Sequence, residues 1–474
     1  MHNMLSSLAQ LMFKSRQNLK KSSRMKKITI VSAIALSFLS LQSLMAQEPM
    51  TLKECMNHAV NNATKVKMQE LETDDASVAR RDAILQAFTP AVEAGSSAQL
   101  SFGRTINPET NTYVTSATFG NSYSLNGGIY LFNGFSSVNN IKISRTALKM
   151  GVRKEELAKD EICLATMQAY YNVVYYQQLA SILEEQVNTA QAALTLAARQ
   201  EELGQKGHAD VVEMEAELAD REYRLVTARN QHADAVITLK DLMFWPMDQD
   251  LAIDTSMTDV DEISFLSYSD EAETVIDYAI TNHPSIAIAK GNMERARYEL
   301  STARWKFSPS LYLSSGWSTS YYTYPGQEGY VPLPFWNQLK NNQGEWIGLS
   351  LSIPIYNRLD NHSQIRRKKN AYARASLEYE QKKRDIEAEV ARAIQDRDGS
   401  AASFRQAERR ASVQEEAYAL NMRKFEQGLI SPIDFQKASD NWLEAKTARL
   451  DALLKFYIRR SVVDYYNGIS YLAQ

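Results

Sequence analysis

Phe425-Glu-Gln-Gly-Leu-Ile-Ser-Pro-Ile-Asp-Phe-Gln436 is the stretch whose reading decides the fold. A long run of helix-forming residues leads into it and another leaves it. Gly428 stands where a helix ends on a left-handed residue, a conformation glycine adopts without a Cβ clash. Ser431-Pro432 reads as an N-cap followed by proline at the first helical position. The segment is therefore a tight reversal at the tip of an antiparallel helical hairpin.

The same turn occurs earlier, as Glu201-Glu-Leu-Gly204-Gln-Lys-Gly-His-Ala-Asp210. Gly428 follows Gly204 by 224 positions (428 − 204), and Asp434 follows Asp210 by the same offset. The offset also relates Asn133 to Asn357, Ile141 to Ile365, Ala169 to Ala393, Arg199 to Arg423 and Ala228 to Ala452. No insertion is needed between residues 131 and 242. An internal repeat outranks any single motif. One architecture is built twice.

The chain has 474 residues, enough for a sizeable core, and a net charge of −3 gives no argument for nucleic acid. Cys55 and Cys163 both fall on predicted helices and read as small buried hydrophobes, not as a disulfide framework or a zinc site. Lys26-Lys27, an apolar run from 28 to 44 and the small-residue end Met45-Ala46 have the form of a signal peptide. Residues 1–46 are expected to be removed on export, with Met25 as an alternative start. The run is too short and too rich in serine for a permanent span. No cysteine follows it directly, so no lipid anchor is expected there.

The first copy occupies residues 47–246 and the second 271–474, with an acidic connector at 247–270 that is either packed outside the main body or a solvated linker. The first copy opens with a predicted helix over 51–88, with a Thr51/Glu54 capping box and Pro90 as its stop. A strand follows in which Val92, Ala94, Ser96, Ala98, Leu100 and Phe102 alternate with Glu93, Gly95, Ser97, Gln99 and Ser101. The second strand sets Tyr123, Leu125, Gly127, Ile129 and Leu131 against Ser122, Ser124, Asn126, Gly128 and Tyr130. A helix over 138–203 would be roughly 100 Å long. After the turn, Val211, Leu218, Leu225 and Leu239 hold one seven-residue seam and Met214, Ala228, Ala235 and Leu242 a second. That spacing is coiled-coil packing.

The second copy repeats this order. Pro284 is expected to break its opening helix. Its strands set Leu311, Leu313, Trp317 and Tyr321 on one face of the first, and Ile347, Leu349, Leu351, Ile353 and Ile355 on one face of the second, with a proline-containing loop over 323–342 between them. A second very long helix covers 361–427. Phe435, Trp442, Phe456 and Val463 mark the seam of the exit helix.

Four strands of this length that alternate apolar with small polar residues suit a membrane-spanning sheet. A soluble sheet with one wet face has the same pattern. Open edges are not tolerated in lipid, so a spanning sheet of four strands must close by oligomerising. Tyr321, Tyr322, Tyr324, Trp336 and Trp346 cluster near strand ends, where a membrane-interface girdle belongs. The two very long helices favour the membrane reading, because no compact domain holds such a helix inside.

Over essentially all of its mature length the chain resembles the TolC-like outer membrane efflux proteins. The resemblance rests on the duplicated order helix, two strands, long helix, glycine turn, helix. It also rests on Leu131-Phe-Asn-Gly134 and Ile355-Tyr-Asn357 at the strand-to-helix joints, and on Gly204…Asp210 and Gly428…Asp434 at the tips. It implies a mainly α fold with a small β part: a homotrimer whose twelve strands form one outer-membrane β-barrel, continued by a long periplasmic α-helical barrel. It implies a passive exit duct of a tripartite efflux or type I secretion system, energised by an inner-membrane transporter through a periplasmic adaptor. Asp434 matches an aspartate and Phe425 an aromatic at the family's pore entrance, and Gly204 and Gly428 fall on the tips that meet the adaptor. Ile430 and Lys437 depart from the arginine and second aspartate of the best-known member, so its gating links do not carry over intact. Asp434 also reads as a plain N-terminal helix acid.

No G-x-S-x-G, P-loop, H-E-x-x-H or G-x-G-x-x-G is present, and no enzyme, cofactor or metal is expected. Arg366-Arg-Lys-Lys369 reads as a solvated face or a lipid head-group contact, not as a nucleic-acid site. The competing reading is an exported structural or adhesin-like coiled-coil protein with no channel.

Overall fold

The computed structural model describes residues 49–107, 111–255, 272–327 and 330–473. The predicted signal peptide and most of the acidic connector lie outside these residues. Two short segments form a small unit of their own, in which Met50 makes a parallel bridge to Ile253. There Met50 N donates to Ala252 O at 2.9 Å and Asp254 N donates to Met50 O at 2.9 Å.

In the main unit the duplication is visible in the backbone. Helix α3 (Ser136–Glu202) and helix α8 (Asp360–Glu426) both have 67 residues, and each is followed across its turn by a partner, α4 (His208–Met243) and α9 (Pro432–Tyr466). At 1.5 Å per residue each long helix spans roughly 100 Å. All four begin at the positions the 224-residue offset requires. Phe435, Trp442, Phe456 and Val463 are buried on α9, as are Val211, Met214, Leu225, Ala228, Ala235 and Leu239 on α4.

The entrance to each long helix is also duplicated. Gly134 (φ 63°) and Phe135 (φ 58°) turn the chain in the first copy, and Arg358 (φ 57°) and Leu359 (φ 64°) in the second. Two consecutive left-handed residues redirect a strand into a helix. The asparagine before them accepts from the new helix: Asn133 Oδ1 from Ser137 N at 3.2 Å, and Asn357 Oδ1 from Asn361 N at 3.5 Å. A Cβ on Gly134 would lie 2.5 Å from the Trp305 carbonyl oxygen, so no side chain fits there.

The opening helix of the first copy is not continuous. It divides into α1 (Leu52–Asn62) and α2 (Thr64–Phe88) at Ala63, whose ψ is 124°. The second copy divides at His283 (ψ 131°) into α5 (Ala272–Asn282) and α6 (Pro284–Trp305). Pro284 announces the second break, and nothing in the local sequence announces the first. In both, the last asparagine folds back on its own helix: Asn62 Nδ2 donates to His58 O at 2.9 Å and Asn282 Nδ2 to Tyr278 O at 3.0 Å. Ala63 and Val66 are buried with Ala158 of α3, so burial against a neighbour holds the break.

The sheet is antiparallel, in the order β1 (Ala91–Asn107), β2 (Thr112–Asn133), β3 (Ser310–Thr323), β4 (Gly344–Ser352). Below it α2 packs on α3, α3 on α6 and α6 on α8, which is the same order of repeat elements. Three details differ from the sequence-based expectation. A bulge between Tyr130 and Phe132 takes Leu131 out of register, so Phe132 and not Leu131 continues the face of Ile129. Strand β4 ends at Ser352, leaving Ile353 and Ile355 beyond it. The loop before β4 contains a short helix, α7 (Phe335–Asn341). Its Gln338 replaces a strand at the β3 edge, where Oε1 accepts from Tyr322 N at 3.0 Å and Nε2 donates to Tyr322 O at 2.9 Å.

Among the described residues no helix is long and apolar enough to cross a membrane, and no three His, Cys, Asp or Glu side chains are grouped to hold a metal ion. Cys55 and Cys163 are buried free thiols, both pushed up to about 12, chiefly by burial. Neither can act as a thiolate at neutral pH.

Candidate functional sites at the hairpin tips and on the sheet

Both tips close by the same bonds. Leu203 N donates to Arg199 O and Gln427 N to Arg423 O, each at 3.2 Å. Gly204 (φ 69°) and Gly428 (φ 71°) then take the left-handed conformation, and Gln205 N and Leu429 N reach back to Gln200 O and Lys424 O at 2.8 Å. This is the Schellman termination that a left-handed glycine permits. A Cβ would meet no neighbouring atom at either glycine, so conformation and not space requires it.

Asp434 is exposed in the first turn of α9, where Ser431 is the N-cap. Ser431 Oγ accepts from Asp434 N at 3.1 Å and donates to Asp434 Oδ2 at 2.8 Å. Its repeat mate Asp210 accepts from Gly207 N at 3.2 Å. Phe425 is fully buried within the protomer and so cannot present its ring to a duct. It stacks on Phe435 at 4.6 Å and 13°, in a core with Ala193, Ala197, Val211 and Met214. Lys206, from the other tip, places Nζ 4.2 Å from the centre of the Phe425 ring. The aromatic therefore joins the two tips from inside.

Above this core a polar link replaces an apolar seam residue. Arg221 occupies the gap in the Met214, Ala228, Ala235 series and is 1% exposed. Its Nε donates to Glu217 Oε1 at 2.5 Å and a terminal nitrogen to Asp440 Oδ1 on α9 at 2.6 Å. Gln436 of α9 donates to the other oxygen of Glu217. An arginine at a coiled-coil seam position was the available signal.

A second polar cluster sits at the break before α6. Tyr465 donates to Asp160 Oδ2 at 2.8 Å and stacks on Tyr471 at 4.8 Å, while His283 stacks on Tyr466 at 5.7 Å. Asp160, His283, Tyr465 and Tyr466 line one cavity of about 260 Å³. Burial raises the Asp160 carboxyl to about 6 and lowers the His283 imidazole to about 4, the latter with help from Lys382.

The sheet has two unlike faces. Residues paired across strands share a face. One face carries Val92, Leu100, Phe102, Leu125, Ile129, Leu313, Trp317, Ile347, Leu349 and Leu351. The other runs in rows such as Ser97–Ser122–Ser320, Gly95–Ser124–Ser318 and Gln99–Gly120–Tyr322. The predicted girdle does not hold together on this sheet. Tyr321 lies on the apolar face, where its ring meets Phe335 of α7 at 5.1 Å, and Trp336 of α7 is 77% exposed. Tyr322 and Trp346 lie on the polar face, because each is one residue out of phase with the apolar set. Buried Tyr324 meets Tyr330 at 4.9 Å.

A duplicated helical hairpin carrying a two-faced, open-edged sheet defines the class of outer-membrane exit channels. The family model described as "Outer membrane efflux protein" matches residues 56–243 and 275–461. The chain belongs to this outer membrane efflux protein family, so its place is the outer membrane and its work is efflux. Among solved structures it is similar to CusC, with 17% identity and a TM-score of 0.73, covering 89% of this chain and 91% of that one. It is similar to the CmeC outer membrane channel of Campylobacter jejuni, with 16% identity, a TM-score of 0.70 and coverage of 89% and 85%. It is also similar to the outer membrane protein VceC of Vibrio cholerae, with 14% identity, a TM-score of 0.70 and coverage of 89% and 96%. A comparison with functionally curated proteins found no match.

Proposed function

We propose that three copies of this chain close into a single duct and that this duct is the passive outer-membrane exit of a tripartite export system. The observation that carries the reading is the pair of free edges. Among the described residues, strand β1 pairs only with β2, and β4 only with β3. The sheet nonetheless turns a mainly apolar face outward, with Arg104 and Glu345 near strand ends, as lipid-facing sheets do, and lipid does not tolerate unpaired strand edges. Joining β1 of one copy to β4 of the next satisfies both edges. The helical layer has matching ends at α2 and α8, so the same operation closes a tunnel beneath.

In this reading the tips of α3–α4 and α8–α9 form the inner end of the tunnel and meet a periplasmic adaptor, with Gly204 and Gly428 shaping the contact. Asp434, exposed at the start of α9, supplies charge at the entrance as well as its cap. Phe425 supports that entrance from within the protomer. An inner-membrane transporter supplies the energy. Tyr321 and Trp336 suit the membrane interface, and Tyr322 and Trp346 face the duct. The reading is tested by isolating the protein from outer membranes. A heat-modifiable trimer that conducts ions in a planar bilayer is expected. A stably folded monomer recovered from the periplasm overturns it and favours the structural coiled-coil protein.

A further inference from the structure

One row of the polar face is unlike the others. Glu93, Asn126, Gly316 and Trp346 face one another in succession across the four strands. Among the described residues, Glu93 is the only charged side chain on that face and Trp346 the only tryptophan. All the rest are Ala, Val, Gly, Ser, Thr, Asn, Gln or Tyr.

The Trp346 indole lies across the sheet. A Cβ on Gly316 would sit 2.6 Å from Trp346 Nε1 and 2.8 Å from its Cε2, and one on Gly348 would sit 3.4 Å from the far edge of the ring. Two glycines thus make a floor on which the indole rests, and Trp346 remains 49% exposed. The same Gly316 position lies 2.6 Å from Asn126 Oδ1, so the indole and the Asn126 side chain converge over Gly316. Asn126 is the direct partner of Glu93. With strands ~4.8 Å apart, carboxylate and indole are separated by roughly the length of a three-ring aromatic molecule.

A hydrophilic duct needs no flat indole on a glycine floor, and a lone carboxylate beside it adds a charge the face otherwise lacks. An aromatic ring face attracts cations, and a carboxylate two strands from its Gly316 floor binds the same class electrostatically. We propose that Glu93 and Trp346 form a transient binding shelf for aromatic organic cations inside the duct, with the cation at Glu93 and the rings on Trp346. The proposal rests on the duct reading, because it requires the polar face to line the lumen.

Ethidium is the probe, with tetraethylammonium as a non-aromatic cation and fluorescein as an anion of similar size. Block of single trimers in planar bilayers is measured for the native protein and for Trp346→Ala, Trp346→Phe, Glu93→Gln and Asp434→Asn. Ethidium is expected to block at much lower concentration than either control. Trp346→Ala and Glu93→Gln should each raise the half-blocking concentration at least about fivefold, and Trp346→Phe should raise it less than Trp346→Ala. Low salt should strengthen the effect of Glu93, since the Debye length grows from about 3 Å at 1 M to about 30 Å at 10 mM. Native-like half-blocking concentrations in both Trp346→Ala and Glu93→Gln overturn the proposal. So does block that is relieved only by Asp434→Asn, which places it at the tips. Absence of any trimer or conductance refutes the duct itself, a failure distinguishable from loss of the shelf.

Discussion

Arg221 and Asp440 are 219 positions apart in sequence and share a 2.6 Å charged hydrogen bond that ties α4 to α9. The arginine is 1% exposed and the aspartate side chain 40%. The link joins the two hairpins of one protomer immediately above the tip core. Any movement of one hairpin past the other must break it or carry it along.

Removing the arginine leaves Glu217 buried and without its cation. Arg221→Met is expected to cost about 3–5 kcal/mol, the usual penalty for breaking one side of a buried pair. Asp440→Asn should cost less, because water reaches that carboxylate. The double variant Arg221→Met, Glu217→Met removes both charges and should recover much of the loss. Thermal unfolding of the detergent-solubilised protein measures the order of the three.

Phe425 is expected to behave as a core residue. Phe425→Ala should destabilise by about 3–5 kcal/mol through the cavity it leaves against Phe435 and Met214. Phe425→Leu should cost less and leave conductance close to native. A variant that conducts differently while remaining fully stable would place the ring in the duct instead.

The Ser431–Asp434 pair separates capping from conduction. Ser431→Ala is expected to cost about 1 kcal/mol without changing the current, since it removes a cap and no charge. Asp434→Ala should cost a similar amount and also change block of the channel by divalent cations. Identical currents in the two variants would leave Asp434 with capping alone.

The two faces of β4 make opposite predictions for one substitution. Leu349→Lys places a charge on the apolar face and should cost about 2–4 kcal/mol near the bilayer centre. Ser350→Lys, one residue along, points the other way and should assemble normally. The yield of heat-resistant trimer in outer membranes reads the difference.

The cluster at the second helix break has an acid response with opposed signs. Asp160 is raised from 3.8 to about 6 in the folded protein, so between these values the folded state takes up the proton first and acidification favours folding. His283 is lowered from 6.5 to about 4, so in its window the unfolded state takes up the proton first and acidification opposes folding. The two windows overlap and largely offset. Asp160→Asn should therefore make the protein more acid-labile between about pH 6.5 and pH 4, and His283→Asn should make it less so. Unfolding temperatures at several pH values across that window check both signs.

Much of this structure is legible along the chain because its determinants are local. Glycine at 204 and 428, the caps at 431 and 434, and the seven-residue seams of α4 and α9 act within a few residues of where they stand. The 224-residue offset carried these readings from one copy to the other, and the backbone extends it to the left-handed pairs at 134–135 and 358–359, which the sequence did not announce. Strand alternation assigned the apolar and polar faces correctly except past the bulge at Leu131, where one extra residue reverses the phase.

What the tertiary structure alone decided are the relationships between distant residues. Ala63 breaks its helix without proline because Val66 and Ala158 bury it there. Phe425 faces inward because Phe435 and the first hairpin enclose it. Arg221 finds Asp440, and Asp160 finds Tyr465, across separations of 219 and 305 positions. Periodicity states which side of an element is apolar, but a long-range partner is chosen by the packing of two elements, and no local pattern encodes that choice.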